Sequence, residues 1–331
     1  MNLASQSVLE CLNACLDHRG SIFIPELGAT FHVKPRATRL FACQNPVEEG
    51  GGRKALPKSF LNRFTQVYLK PLTLADQQVV LSSLYPSIPR SSVTAMVNFN
   101  SAIHNAVVVK HSFGASGGPW EFNLRDLCRW ADLVLKGQAN FGMNPGLYVC
   151  LLYAGRMRTA EDKQKVMDLW HEVAASVAAT EADFDEATSR CYLPQGRLSV
   201  LGDKHLQVGL ASFRILDQSA KAPVSQLLLL HQHRPYMELL LKTLELGWMP
   251  IVVGPRGSGK RSLVHLAAYL TRNKISSLSL SPSADTVELL GAFEQQEAGG
   301  VFAWIDSPLV KGIREGHWVM LESAQLCRYA G

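Results

Sequence analysis

No apolar run among these 331 residues approaches the ~20 that a membrane-crossing helix needs, and no membrane partner is expected. The opening stretch, MNLASQSVLECLNACLDHRG, lacks a basic segment followed by an apolar core, so a secretory signal is not expected either. Cysteines are few and odd in number, seven in all, with no C-x-x-C pair. Cys11 and Cys15 lie four apart on an expected helix, half of a metal site, but no nearby His or Cys completes it. Buried thiols in a reducing compartment, cytosol or nucleus, are the expectation. His104, His111, His265 and His317 are too scattered for a zinc site. Dense Lys/Arg tracts are missing, and a net charge of +5 is mild over this length. It suits an acidic or nucleic-acid-containing neighbour without arguing for direct, sequence-specific nucleic acid binding.

What is present is the composition of a globular protein, 47% hydrophobic and 18% charged. Its length leaves room for roughly two to three domains. The most informative segment is GPRGSGKRS at 254–262, placed after the apolar run 249–253 and before the helix-like stretch 263–270. A strand, a glycine-rich turn and a helix start form the setting in which backbone N–H groups and a positive helix end cradle polyphosphate. Gly254, Gly257 and Gly259 let the backbone approach an anion, and Lys260 supplies a point charge to the terminal phosphates. The position that wants Ser or Thr for Mg²⁺ is Arg261 instead, which cannot ligate a metal but can contact phosphate. Ser262 carries a hydroxyl one helical step, ~100°, away from that direction.

Along the chain, residues 5–17 repeat at helical spacing and 21–25 with 28–33 read as a hairpin. Strands are expected at 39–43 and 66–69, with a helix across 56–64 between them. The GGGRK loop lacks strand-loop-helix spacing, so it reads as a surface loop rather than a second phosphate grip. From Thr73 to about Val177 only helical periodicity appears, with Asp76, Ser91 or Ser92, Asn123 and Thr159 as candidate caps. Trp120, Phe122 and Trp130 read as helix-face core rather than as a base-stacking surface. Short strands are expected at 197–201 and 207–210, then a helix at 235–247 and strands at 250–253, 275–280 and 317–321. Alternating strands and helices argue for a parallel sheet.

Several stretches, SVLECLNACLDHRGSIFIPELGATF, FACQNP, GGGRKALPKSFLNRF and GGPWEFNLRDLCRW, closely resemble the midasin family of dynein-related AAA+ ATPases. WMPIVVGPRGSGKRSLVHLAAYLT, ADTVELLGAFEQ and WIDSPLVKGIREGHWVMLESAQLC are similar to the start of the next module of that family. The resemblance implies an α/β fold, P-loop AAA+ type parallel sheet pieces with an all-helical lid between them. Residues 1–72 would be the C-terminal part of one AAA+ core, 73–180 the lid, 181–230 a linker, and 231–331 the front of the next core from Walker A to Walker B. The start at Met1-Asn2-Leu3-Ala4 implies a cut just after a Walker B acid, one repeat pitch out of phase. A fragmentary reading of a longer gene, or a truncated copy, is the expected origin.

The resemblance also assigns roles. Gly254, Pro255, Arg256, Gly257, Ser258, Gly259, Lys260, Arg261 and Ser262 would hold ATP, with Mg²⁺ as its companion ion. Walker B reads Trp318-Val319-Met320-Leu321, then Glu322, a Mg²⁺-water ligand or a solvated strand end, and Ser323 where a general base should stand. Asn45 would be the sensor-1 residue, or simply an Asn-Pro turn starter. Arg63 would be an arginine finger, or a helix-end cation meeting carbonyls. Arg125 would be a sensor-2 arginine of the lid, or the partner of Asp126 or a neighbouring acid in a salt bridge. The implied setting is the nucleus, nucleolus and nucleoplasm, with neighbouring AAA modules of the same ring and pre-60S ribosomal particles as partners. Alternatives are a structural pseudo-ATPase module, or a MoxR- or dynein-like chaperone ATPase. The departures at Arg261 and Ser323 predict weak or static nucleotide binding and poor hydrolysis.

Overall fold

The computed structural model describes residues 9–10, 12–17, 20–34, 37–46, 54–201, 204–216, 227–282, 285–295 and 302–323. Two compact units divide the chain, one within Met1–Pro71 and one within Leu72–Arg328.

The first unit is small. After α1 (Asn13–Leu16), strands β1 (Ser21–Ile24) and β2 (Ala29–His32) pair antiparallel, Ser21 opposite His32 and Ile24 opposite Ala29. Gly28 closes the turn at φ +59°, a left-handed conformation that costs glycine nothing. The hairpin expected there is present. The strands expected at 39–43 and 66–69 are not: neither segment joins a ladder, with Phe41 at 89% and Leu69 at 83% exposure. Both are strand-like in composition, but a strand exists only when a neighbour takes its backbone groups. The helix read over 56–64 contracts to α2 (Lys58–Leu61), with Phe60 buried.

The second unit opens with the helices α3 (Leu74–Leu84), α4 (Arg90–His104), α5 (Leu124–Phe141), α6 (Val149–Leu152), α7 (Ala160–Ala178) and α8 (Glu186–Ser189). Asn123 and Thr159 cap their helices as expected. At α3 the cap is Thr73, with Asp76 answering it from the third position in a reciprocal capping box. Ser91 and Ser92 are not caps but lie inside α4, whose N-cap is Pro89. The core is an aromatic cluster of Phe99, Trp130, Tyr153 and Trp170, with ring centroids 5.1–5.7 Å apart and mostly edge to face. Each polar tip is satisfied: Trp130 Nε1 donates to Pro145 O (2.9 Å), Trp170 Nε1 to Ser189 O (2.7 Å) and Tyr153 OH to Asn100 Oδ1 (3.0 Å). Trp130 is therefore a helix-face core side chain as expected, whereas Phe122 is buried and Trp120 half-buried from the non-helical segment before α5.

A three-stranded antiparallel meander follows: β3 (Leu198–Leu201), β4 (His205–Val208) and β5 (Ala211–Arg214). Leu206, Val208 and Ala211 pack with Met237 and Leu241 of α9 (Arg234–Glu245). The buried carboxylate of Glu238 on α9 accepts from Gly196 N (2.9 Å), just before β3, and Leu210 N (3.0 Å), in the β4–β5 turn, tying the meander to that helix. At the other end of α9, Leu246 and Trp248 join the lid core, and the Arg129 guanidinium lies 5.4 Å over the Trp248 ring. The chain thus enters the phosphate loop anchored on both sides.

Beyond the loop come α10 (Lys260–Leu270), β6 (Ile275–Ser279), α11 (Thr286–Leu290), β7 (Gly291–Gln295), β8 (Phe302–Asp306), α12 (Pro308–Glu315) and β9 (Trp318–Glu322). β6 and β9 form a parallel pair, Ile275 opposite Trp318 and Ser279 opposite Glu322. β7 and β8 form an antiparallel hairpin that the sequence reading did not foresee. The strand expected at 250–253 joins no ladder among the described residues, with Met249 at 94%, Ile251 at 89% and Val253 at 71% exposure. Among the described residues no helix is long and apolar enough to cross a membrane.

Candidate functional site

The loop 254–259 is built by two left-handed glycines, Gly257 at φ +78° and Gly259 at φ +75°. A Cβ at Gly259 would lie 2.7 Å from His233 Cε1, so both backbone angle and space demand glycine there. Gly259 is also the N-cap of α10, which places Lys260 and Arg261 on the first helical turn. Leu263, Leu266 and Ala267 bury the opposite face of α10 against the meander core. One face fixes the helix and leaves its N-terminus to the loop. Lys260 Nζ curls back onto its own loop, donating to Gly254 O (2.8 Å) and Pro255 O (2.6 Å), with Ser258 Oγ at 3.5 Å. An ammonium held by neutral carbonyls keeps its charge available for an anion. Arg256 and Ser262 are exposed.

The acidic side of the site is the end of β9. Leu280 N donates to Glu322 O (2.9 Å), which holds that strand end in register beside β6. The Glu322 carboxylate meets Arg261: Nε and Oε1 are 3.3 Å apart. Arg261 Nε also lies 3.4 Å from Nε2 of His265, one turn along α10. Burial and the adjacent Arg261 charge hold His265 below the usual imidazole range, with Glu322 pulling the other way. Ser323, the next residue, sits at φ +59° in the left-handed region. Its hydroxyl is neutral and no general base.

Among the described residues no group of three His, Cys, Asp or Glu could hold a metal ion. The donor set beside Lys260 is a guanidinium, one carboxylate already paired with it, and an imidazole. Mg²⁺ demands near-octahedral oxygen ligands. These residues do not fit it.

The other sequence-predicted residues sit on other elements. Asn45 and Arg63 fall in the first unit, Lys260 in the second. Asn45 lies in an exposed segment without assigned helix or strand, and the Arg63 guanidinium turns back to the carbonyl of Ser59 on its own helix. Arg125 is exposed on the first turn of α5, and the expected Arg125–Asp126 pair is not formed. Asp126 instead faces Arg156 at 3.6 Å, and that guanidinium also lies 5.1 Å over the ring of Phe122. GGGRK falls largely outside the described residues, as does Cys11 of the Cys11/Cys15 pair. Two residues were missed. His265 was legible, since positions four apart on a helix share a face; His233 against Gly259 is a tertiary contact with no local signal.

Comparison with known proteins bears on the same segments. The Midasin AAA lid domain matches residues 76–175, and the AAA domain of the dynein-related subfamily matches 250–329. The chain is 40% identical over 309 residues to Midasin of Dictyostelium discoideum, covering 89% of this chain and 5% of that protein. It is 32% identical over 306 residues to Midasin of Giardia intestinalis, covering 89% and 6% respectively. Over 300 residues it is 22% identical to von Willebrand factor A domain-containing protein 8 of Mus musculus, covering 89% of this chain and 15% of that protein. The chain therefore spans about a twentieth of the length of the Midasins it matches.

Proposed function

Because the chain belongs to the midasin family of AAA proteins over the residues matched, we propose that it is a nucleotide-binding segment of a ring-forming ATPase, with ATP as ligand and slow turnover. One observation carries this reading. A glycine loop with a lysine poised on it opens α10, while the groups that should hold metal and activate water are Arg261, Glu322 and Ser323. Binding a polyphosphate needs backbone N–H groups, the helix end and a cation. Hydrolysis further needs an oriented water and charge neutralisation at the transferring phosphoryl.

The second unit supplies the first set. The second set would come from neighbours: Asn45 and Arg63 serve a site on another module, and Arg125 does so from the lid. In the cell the segment works in the nucleus, within a ring that remodels pre-60S particles during large-subunit assembly. The Arg261–Glu322 pair favours one further reading, a module that binds nucleotide statically and keeps the ring together.

Titration of the purified chain with a fluorescent ATP analogue tests the binding site. Saturable binding is expected, weakened about tenfold or more in Lys260→Ala through loss of a charge-assisted contact. Identical titrations of the two proteins would refute it.

A further inference from the structure

The misfit between this site and Mg²⁺ has its own chemistry. In a metal-dependent phosphate loop the residue after the lysine offers a hydroxyl to the ion, and the acid ending the neighbouring strand holds it through water. Here the first is a guanidinium and the second is its counter-ion, 3.3 Å away across α10 and β9. A guanidinium has no lone pair to give a cation, and its charge repels one. It has five N–H donors in a planar fork that matches phosphate oxygens. The contacts to Glu322 and His265 are made through Nε, and the Arg261 side chain is 66% exposed, which leaves most of the fork open to solvent.

Resting on the nucleotide-site reading above, we infer that Arg261 is a built-in counter-cation: the loop takes nucleoside polyphosphate free of Mg²⁺. Lys260 and Arg261 meet the phosphate charge that a metal would otherwise share. Glu322 positions the guanidinium and is not a metal ligand. Burial and the Arg261 charge disfavour the charged form of His265, so the fork is the second cation of the site beside Lys260. Such a site binds the metal-free nucleotide at least as well as its Mg²⁺ complex, the reverse of a metal-dependent loop.

The test is titration of the 331-residue chain with a fluorescent ATP analogue in excess EDTA and in excess MgCl₂. The expected affinities are equal within about twofold, or tighter in EDTA. Arg261→Thr should lose about tenfold in EDTA and recover it with MgCl₂, as one charge-assisted phosphate contact is exchanged for a metal site. Arg261→Lys, which keeps the charge and loses the fork, should fall between them without needing metal. Tenfold tighter binding with MgCl₂ in the unaltered chain, lost in Lys260→Ala, would overturn the inference and leave the nucleotide site standing. Absence of saturable binding in both buffers would overturn the nucleotide site, and the inference with it.

Discussion

The helical lid and the sheet pieces of the same unit solve the problem of burial differently. In the lid, Phe99, Trp130, Tyr153 and Trp170 are fully buried and their polar tips are satisfied within about ninety residues of chain. In the sheet, β6 and β9 are a lone parallel pair and the apolar segment 249–253 lies open to solvent. A helix satisfies its backbone internally and needs only one apolar face covered. Parallel strands are stable when both faces and both edges are covered. The lid draws its core almost wholly from its own residues, with Leu246 and Trp248 added from beyond it. The phosphate-binding half is stable only where it leans on α9 and the meander.

That contrast can be broken most directly by truncation on each side. Trp130→Ala should cost about 3–5 kcal/mol, read as a lower midpoint in thermal or urea unfolding followed by far-UV circular dichroism. Ile251→Ala should stay within about 0.5 kcal/mol. Equal losses from the two would mean that 249–253 is covered after all and that the two regions do not differ.

Glu238→Gln tests the seam joining lid, meander and loop. It leaves one oxygen where two accept from Gly196 N and Leu210 N, and the expected cost is about 1–3 kcal/mol, with faster amide exchange at Leu210. Unchanged exchange there would show that the carboxylate does not tie the meander down.

A smaller effect concerns the thiols. Burial pushes Cys150 up to about 11 and Cys191 up to about 12, while Cys43 is exposed. At mildly alkaline pH an alkylating reagent should label Cys43 ahead of Cys150 and Cys191, which should lag by an order of magnitude or more. Because folding raises these values, the unfolded chain ionises first. The stability they contribute is whole below the ordinary thiol value of 9.0 and is lost as pH climbs through about 11. A urea midpoint that is flat from neutral pH to beyond that range would contradict the burial of these thiols.

The same contrast governs what could be read from residues alone. Helix periodicity, Asn123 and Thr159 as caps, and the glycine loop are local signals, and the structure carries each of them. Strands at 39–43, 66–69 and 250–253 had the right composition, but a ladder is a property of two segments and the described residues offer these three none. The Arg261 substitution was legible; its pairing with Glu322 was not, since the residues are 61 positions apart in sequence and meet only through the β6–β9 register. The hairpin β7–β8 interrupts a region read as plain strand and helix alternation. Asn45, Arg63 and Arg125 drew their roles from resemblance, and no local signal in their own segments marks them as site residues.

Phosphate release over many turnovers, at saturating ATP with Mg²⁺, tests the account most directly. The account predicts no steady release from the purified chain above that of Lys260→Ala, since the loop holds nucleotide without the groups that activate water. A sustained, Mg²⁺-dependent rate abolished by Lys260→Ala would contradict it.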